Sequence, residues 1–176
     1  KGLEQVDNPS QSLIAERQVT DGSIVFAAME GTRPILVEVQ ALVNKTSFGY
    51  PKRTASGFDL NRLNLLTAVL TRRTKLNLSE YDIYINVVGG IKLSEPAADL
   101  AVAMAIASAA KGVSLKEDLA VAGELGLSGE IRRIPNLEKR VNEAKKLGFK
   151  GLLAPSSGSK STFIKDATNL REVLNT

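Results

Sequence analysis

The sequence contains no cysteine, no histidine and no tryptophan. Without cysteine the chain can form neither a disulfide framework nor a thiolate metal site. Without histidine it lacks the usual metal ligand, the usual general base and the Ser-His-Asp triad. Any hydrolytic chemistry would therefore have to use a Ser-Lys pair or carboxylates. No run reaches the roughly 18 apolar residues that a membrane span needs, so we expect no membrane partner and a cytoplasmic location.

What is present suits one globular domain with a full-sized core, since 43% of the 176 residues are hydrophobic. The formal net charge of +4, from 23 Lys and Arg against 19 Asp and Glu, leans only mildly toward an anionic partner. Residues 1–10 are polar and carry an Asn8-Pro9 turn signal, so we predict that they end a linker and that residues 11–176 form the domain. We expect the chain to be a fragment because it begins without Met.

The chain is organised around residues 81–110. Residues 82–88 are rich in β-branched and aromatic side chains and end at Gly89-Gly90, which predicts a strand followed by a turn. Pro96 then opens a helix whose residues are nearly all small or apolar, so this helix should be buried on every side. The loop over 90–95 would be held by a rigid pair of elements, where a functional group is well positioned. The alternative is that the pair is only the central unit of the core.

The remaining pattern predicts strands over 22–29 and 35–43 that form an antiparallel hairpin, with Arg33 at its tip. Residues 44–57 predict a basic loop or a pair of short strands, and residues 58–73 an amphipathic helix capped by Asp59. Later elements are a strand over 120–124, a hairpin over 125–134, a helix over 136–147 capped by Asn136, a strand over 151–154 and a helix over 170–174. Strands first, then mixed helices and strands, indicate an α+β (mixed α/β) fold.

Seven cations stand in turns or at the ends of elements, where side chains from different elements can converge on one surface. They are Arg33, Lys52, Arg53, Arg62, Lys92, Arg132 and Arg133. Cations placed in this way suit binding to a phosphate backbone, which is independent of sequence and sensitive to salt. Ordinary solvation explains them equally well, since 24% charged residues is normal for a soluble domain. By contrast, the run of Lys139, Arg140, Lys145 and Lys146 is predicted to be the solvated face of a helix.

No GxGxxG motif and no Walker loop is present, so we expect no nucleotide site in this chain. A Ser-Lys hydrolase would need an exposed serine at the start of a helix and a desolvated lysine as its base. Ser94 lies in the right loop, and Lys92, Lys111 and Lys139 are the candidate bases. The alternative is that Ser94 caps the helix begun at Pro96.

Several long stretches carry a resemblance to a known family. They read EGTRPILVEVQALV, FGYPKRTASGFDLNRLNLLTAVL, DIYINVVGGIKLSEPAADLAVAMAIASA, AVAGELGLSGEIRRIPNLEKRVNEAKKLGFK and LAPSS. Together they resemble the C-terminal domain of the RadA (Sms) family of bacterial DNA repair proteins, over essentially the whole chain. That domain is similar to the proteolytic domain of Lon. The resemblance implies a Lon-protease-like domain with the fold of ribosomal protein S5 domain 2.

The departures from Lon bear on catalysis. Lon-type proteases carry their nucleophilic serine in a Pro-Ser-Ala-Gly segment, whereas the matching segment here reads Pro-Ala-Ala-Asp, with Ala97 at the serine position. Their lysine lies in a Leu-Lys-Glu-Lys segment, and the matching segment here reads Leu-Glu-Lys-Arg, with Glu138 at the lysine position. Since an alanine methyl group cannot attack a carbonyl, the resemblance implies a protease site that has lost its chemistry.

The resemblance further implies a hexamerisation scaffold and a non-specific DNA-binding surface. The basic members of the matching motifs are Arg33, Arg53, Arg62, Lys92 and Arg132, which we expect to face DNA in a ring channel; Arg133 is the alternative to Arg132 there, and Lys52 is a DNA-binding candidate from its placement alone. RadA-like proteins act in recombination and branch migration, so a recombinase-type partner is also implied. Their zinc-binding segment and RecA-like ATPase domain would lie before this chain. We therefore expect zinc, ATP and magnesium only there, and no cofactor here. Two alternatives stay open: a residual Ser-Lys peptidase using Ser94, and a purely structural ring module whose cations form salt bridges between subunits.

Overall fold

The computed structural model describes residues 8–175, which form a mixed α/β fold. The helices are α1 (Pro9–Ile14), α2 (Leu60–Arg73), α3 (Asp99–Lys111), α4 (Leu137–Lys146) and α5 (Leu170–Leu174), and a 3-10 turn (Pro96–Ala98) leads into α3. The strands are β1 (Ser23–Glu30), β2 (Arg33–Lys45), β3 (Arg53–Ser56), β4 (Tyr81–Val87), β5 (Leu119–Val121), β6 (Glu124–Leu125), β7 (Ile131–Arg132), β8 (Gly151–Ala154) and β9 (Ile164–Asp166).

Seven of these strands form one sheet, in the order β3-β4-β2-β1-β5-β8-β9. Strand β2 pairs antiparallel with both β1 and β4, and every other pair in the sheet is parallel. Six strands therefore run in one direction and β2 alone opposes them. We call the end of the sheet where these six strands finish the carboxyl end, and the opposite end the amino end.

The apolar stretch singled out in the sequence is the buried centre of the domain. Ten consecutive residues of α3, from Asp99 to Ser108, are buried, because the helix packs on β1 and β2 and is covered by α2. On the other side of the sheet α1 and α4 pack against β2, and the Ser10 hydroxyl of α1 donates to Glu143 of α4 over 2.6 Å. Helix α3 ends at Gly112, which takes the left-handed conformation (φ 66°) that favours glycine.

Most predicted elements are confirmed. Strands β1 and β2 form the antiparallel hairpin, with Glu30 opposite Arg33 at its closed end. Asp59 caps α2, since its side chain accepts from the backbone N–H of Arg62. Glu124 belongs to the β6–β7 hairpin, not to the strand before it. Asn136 does precede α4, but it is left-handed (φ 62°) and its side chain makes no capping hydrogen bond.

The predicted linker, 1–10, lies mostly outside the described residues. For residues 1–7 it stays a prediction. Pro9 and Ser10 already belong to α1. Ser10 is fully buried against β2, where its hydroxyl also accepts from the backbone N–H of Leu36. The predicted boundary between residues 10 and 11 therefore falls inside a helix that packs on the sheet.

The predicted solvated face of α4 is wrong at Arg140. Its side chain is 0% exposed and lies in the core, whereas Lys139, Lys145 and Lys146 are exposed as predicted. The guanidinium group donates to the carbonyls of Ala27 (2.6 Å) and Pro135 (3.0 Å). It also forms an ion pair of 2.7 Å with Glu95. A charge is tolerated at this depth because it is paired with a carboxylate and each of the three guanidinium nitrogens donates a hydrogen bond.

Glu95 extends this contact to the central hairpin. Its second carboxylate oxygen accepts from the backbone N–H of Met29 at the end of β1, over 2.6 Å. One carboxylate therefore links α4, β1 and the loop that leads into α3. The geometry of that loop depends on Arg140, which the chain supplies from 45 residues away.

Replacing Arg140 by alanine should lower the free energy of unfolding by about 3–5 kcal/mol, because Glu95 and the Ala27 carbonyl lose a buried partner. The matched control is Lys146→Ala on the exposed side of the same helix, which should change stability by no more than about 0.5 kcal/mol. Urea unfolding followed by circular dichroism measures both variants. Equal effects of the two substitutions would contradict a structural role for Arg140.

Candidate functional site

The two positions predicted to match the Lon serine and lysine, Ala97 and Glu138, hold neither a serine nor a lysine. Ala97 is 2% exposed, and its carbonyl accepts from the backbone N–H of Gly123 over 2.9 Å. Glu138 is exposed and lines a cavity between α4 and the serine-rich loop over 156–161. Neither residue supplies a nucleophile or a basic amine, so this pair cannot perform Ser-Lys chemistry.

Ser94 is exposed and lines a cavity of about 350 Å³ with Phe58, Arg62 and Asp99. Lys111 donates to the carbonyl of Leu174, and Lys139 donates to the carbonyl of Thr32, each over 2.9 Å. Lys92 is exposed to solvent. Among residues 8–175, no lysine makes a hydrogen bond to the Ser94 hydroxyl, so none is placed to act as its base.

The polarity of the sheet divides the seven predicted cations into two groups. Arg33 begins β2 beside the end of β1, and Arg62 lies in the first turn of α2, which follows the end of β3. Lys92 lies between β4 and α3, and Arg132 and Arg133 end the β6–β7 hairpin. These five are at the carboxyl end. Lys52 and Arg53 stand at the start of β3, at the amino end, so the structure does not bring all seven to one place.

Arg62 is held by the fold. Its Nε donates to Asp99 Oδ1 over 2.9 Å, and its Nη2 makes an ion pair with the second oxygen of the same carboxylate. Asp99 is only 1% exposed and also accepts from the backbone N–H of Leu125. The hydrogen bond to Asp99 raises the pKa of Arg62, although partial burial opposes the rise. This bidentate pair ties α2, α3 and the β6–β7 hairpin together.

Arg53 is held in a similar way, by backbone instead of a carboxylate. Its guanidinium donates to the carbonyls of Tyr81 (2.6 Å), Leu78 (3.2 Å) and Lys52 (3.4 Å). Partial burial lowers the pKa of Arg53, and the nearby charge of Asp82 partly offsets this effect. These contacts fix the segment that enters β4. They use most of the donors that a phosphate would need.

Arg132 keeps an exposed guanidinium but shares it with an acid. It forms a 2.8 Å ion pair with Glu130 on the same hairpin. The pKa of Glu130 is lowered to about 2, chiefly because its carboxylate accepts from the Ser128 hydroxyl, with backbone N–H groups and Arg132 adding. Glu130 is therefore charged at any physiological pH and partly neutralises Arg132.

The other four predicted cations are available to a partner. Arg33, Lys52, Lys92 and Arg133 have exposed side chains, and within the described part of the chain these side chains form no ion pair and donate no hydrogen bond. Three of the four lie at the carboxyl end of the sheet. An anion approaching that end would therefore meet cations that the domain has not neutralised.

A family model described as "ChlI: Subunit ChlI of Mg-chelatase" matches residues 63–158, which is more than half of the chain. This chain belongs to the ChlI family. The part that matches the ChlI family contains α3, Ala97 and the β6–β7 hairpin. Of the predicted cations at the carboxyl end of the sheet, Lys92, Arg132 and Arg133 lie inside the match, and Arg33 and Arg62 lie before it.

This ChlI-family chain is also similar to part of several proteins named DNA repair protein RadA. It is 50% identical over 155 residues to that of Halalkalibacterium halodurans, 49% over 158 to that of Bacillus subtilis and 48% over 180 to that of Streptococcus pneumoniae. These alignments cover 88%, 89% and 98% of this chain but only 34%, 34% and 43% of those proteins. The chain therefore spans about a third to two fifths of the length of the curated relatives it matches.

The described part of this ChlI-family chain offers neither a cluster of metal ligands nor a membrane-spanning helix. Residues 8–175 hold no group of three or more Asp, Glu, His or Cys side chains that could bind a metal ion. None of the helices in that range has the length and the apolar run needed to cross a bilayer.

The sequence reasoning missed the acids that hold two of its cations. Asp99 is the single charged residue among the ten buried residues that open α3, and Glu130 lies two residues from Arg132. A lone carboxylate in an otherwise apolar helix signals a buried partner, because burying an unpaired charge is costly. That signal was present, but it could not name Arg62 as the partner, 37 residues away.

Replacing Arg62 by alanine should lower the free energy of unfolding by about 3 kcal/mol, because it leaves the Asp99 carboxylate buried without its counter-ion. Arg72→Ala, an exposed cation in the last turn of the same helix, is the matched control and should change stability by less than about 0.5 kcal/mol. The double variant Arg62→Ala, Asp99→Ala should be more stable than the sum of the two single effects predicts. Strict additivity in urea unfolding would contradict the pairing.

In a carbon-detected NMR titration the Glu130 carboxyl group should change at about pH 2, well below the ordinary value of 4.5. Since the folded pKa is lowered, the contribution of Glu130 to stability is present above about pH 4.5 and is lost as the pH falls toward 2. Ser128→Ala should raise this midpoint more than Arg132→Ala does, because the hydroxyl is the larger cause. A wild-type midpoint near 4.5 would refute the hydrogen-bonded hairpin.

Proposed function

We propose that this chain is the non-catalytic, DNA-binding part of a RadA-type DNA repair protein, and that it serves as the scaffold of a hexameric ring. One observation carries the proposal: Arg33, Lys92 and Arg133 are exposed at one end of the sheet, and their side chains form no ion pair among residues 8–175. These cations would bind a polyanion, and the 48–50% identity to proteins named DNA repair protein RadA indicates that this polyanion is DNA. Phosphate contacts of this kind hold DNA without reading its sequence.

The structure suggests which predicted cations should carry the phosphate contacts. We assign them to Arg33, Lys92 and Arg133, with Arg132 as a weaker contributor because Glu130 shares its charge. Lys52 would contribute from the amino end. Arg53 and Arg62 remain predicted DNA contacts, but their donors are engaged inside the domain, so we expect their removal to affect folding first.

A ring would make a modest cluster effective. Each phosphate that a cation neutralises adds about 0.9 to the slope of log affinity against log salt for duplex DNA. Three or four contacts in one subunit give weak binding at physiological salt. The subunit interfaces of a ring are heterologous and close by rotation, so each subunit presents the same surface to the channel. Six copies around one DNA molecule would therefore multiply the contacts.

The absence of proteolysis is part of the same proposal. Ala97 is buried at the nucleophile position, and no lysine among residues 8–175 contacts Ser94. The remainder of a RadA-type protein would supply its ATPase activity, with the zinc, ATP and magnesium that this activity needs. It would also supply much of the surface for a recombinase-type partner.

A triple variant with Arg33, Lys92 and Arg133 changed to alanine tests the DNA-binding role. We expect the slope of log affinity against log salt to fall by up to about 0.9 for each lost contact on duplex DNA, and affinity at low salt to fall with it. The measurement is fluorescence anisotropy across a salt series. Light scattering in parallel should give the same mass in solution for the variant and the wild type.

The control is a second triple variant with Lys116, Lys146 and Lys150 changed to alanine. It also removes three positive charges, but from exposed positions elsewhere: Lys146 lies on α4, Lys116 precedes β5 and Lys150 precedes β8. If both variants lose the same slope, net charge alone is responsible and the assigned surface is wrong. If the first variant loses its oligomeric state and not its slope, the cations join subunits and the purely structural ring module is favoured.

A further inference from the structure

The loop between β2 and β3 carries two aromatic side chains in solvent. Phe48 is 90% exposed and Tyr50 is 92% exposed, in a chain that has only five Phe and three Tyr. We call Thr46–Lys52 the aromatic loop. Aromatic side chains usually cover much of their area in the core or in an interface, so two adjacent and nearly bare rings indicate a contact that the isolated domain does not make.

The ends of the aromatic loop are fixed, so the exposure of its tip is a property of the fold. Asp82 Oδ1 accepts from the Thr46 hydroxyl over 2.8 Å and from the backbone N–H of Lys52 over 2.7 Å. The backbone N–H of Thr46 also donates to the carbonyl of Glu80 over 2.8 Å. These hydrogen bonds, that from Lys52 first, lower the pKa of Asp82, which therefore stays charged and keeps both ends of the loop in place.

The segment of chain that carries the two rings is positively charged. Between residues 44 and 58 the chain has three cations and no acid. Lys45 and Lys52 flank the loop with exposed side chains, and the nearest acid to Lys45, Glu80, is 4.0 Å away and itself exposed. An exposed pair at that distance is weak and yields readily to a phosphate. Aromatic rings between cations favour a ligand with flat apolar faces and a phosphate backbone.

We propose that Phe48 and Tyr50 stack on unpaired bases of a nucleic acid strand, while Lys45 and Lys52 contact its phosphates. The proposal rests on the DNA-binding function proposed above and adds a preference to it. Bases in a duplex are already stacked on each other, whereas every unpaired base offers a free face that an aromatic ring can cover. Stacking is tolerant of sequence, as expected for a repair protein that must act on any strand.

The aromatic loop lies at the amino end of the sheet, opposite the carboxyl-end cations. The seven residues of β4 separate the two ends by about 20 Å, so about six nucleotides span them even at the compact duplex spacing of about 3.4 Å each. A single strand of moderate length can therefore reach both ends of one subunit. We infer that the carboxyl end supplies salt-sensitive phosphate contacts and the aromatic loop the contacts to bases.

The test compares three probes of equal length: a thymidine 20-mer, an abasic strand with the same number of phosphates, and a duplex. The variant Phe48→Ala, Tyr50→Ala should weaken binding of the thymidine strand about 10-fold or more and change binding of the other two probes less than about twofold. The matched control, Phe48→Tyr with Tyr50→Phe, keeps both rings and should bind all three probes like the wild type.

A second readout uses the absence of tryptophan from the chain. Phe48→Trp places a single tryptophan in the loop, and its fluorescence should be quenched by the thymidine strand but not by the abasic strand. Leu127→Trp, at an exposed position in the β6–β7 hairpin, is the control and should respond to neither. Both variants keep every cation, so any difference between them reports on bases.

The possible failures are distinguishable. If the wild type binds the thymidine and abasic strands equally well in a salt-sensitive way, the DNA-binding proposal stands and the stacking proposal is overturned. If the wild type binds none of the three probes, both proposals fail. If Phe48→Ala, Tyr50→Ala lowers the mass in solution and leaves binding of the thymidine strand unchanged, the rings contact a second copy of this chain and the stacking proposal is wrong.

Discussion

Two carboxylates at the start of α3 hold the carboxyl end of the sheet together. Glu95 pairs with Arg140 from α4, and Asp99 pairs with Arg62 from α2. They lie two residues before and two residues after Ala97, a buried residue of the 3-10 turn that leads into α3. Both acids also accept backbone N–H groups, from Met29 and from Leu125. The start of α3 is therefore a structural joint, in which each of the two carboxylates is paired with an arginine inside the domain.

The cations of this domain serve in two ways: some hold its elements together, and others are exposed to solvent. An arginine that donates three hydrogen bonds to fixed acceptors stabilises the packing of elements, and it has less left to offer to a phosphate. Arg140, Arg62 and Arg53 are of this kind. Cations at the tips of connections, such as Arg33 and Lys92, find no acceptor among the described residues and keep their charge for a partner. Position in a turn alone therefore does not distinguish a surface cation from one that the fold has engaged.

The parts of the fold that local pattern determines were predictable. The β1–β2 hairpin, the capped α2 and the buried α3 follow from periodicity and from Asp59 and Pro96. Arg140 was not predicted to be buried, although its spacing from Val141 and Ala144 places it on the inward stripe of α4, because an arginine there usually signals solvent. Strand β9 has three residues and pairs only with β8, so no local signal marks it. The acids that hold Arg62 and Arg140 are distant in sequence, and only the tertiary fold brings them near.

The direction of the strands gives the two ends of the domain different chemistry. At the carboxyl end, exposed cations lie around the joint, and none of the residues that define that end is an exposed aromatic, so under the proposed function this end would contact phosphates without contacting bases. At the amino end, Asp82 fixes a loop whose two aromatic rings lie between Lys45 and Lys52 in the sequence. Attraction to phosphates weakens steeply with salt, whereas stacking on bases does not depend on counter-ion release. A strand that contacts both ends would therefore stay bound at salt concentrations that release a duplex, and the sheet keeps the two kinds of contact a fixed distance apart.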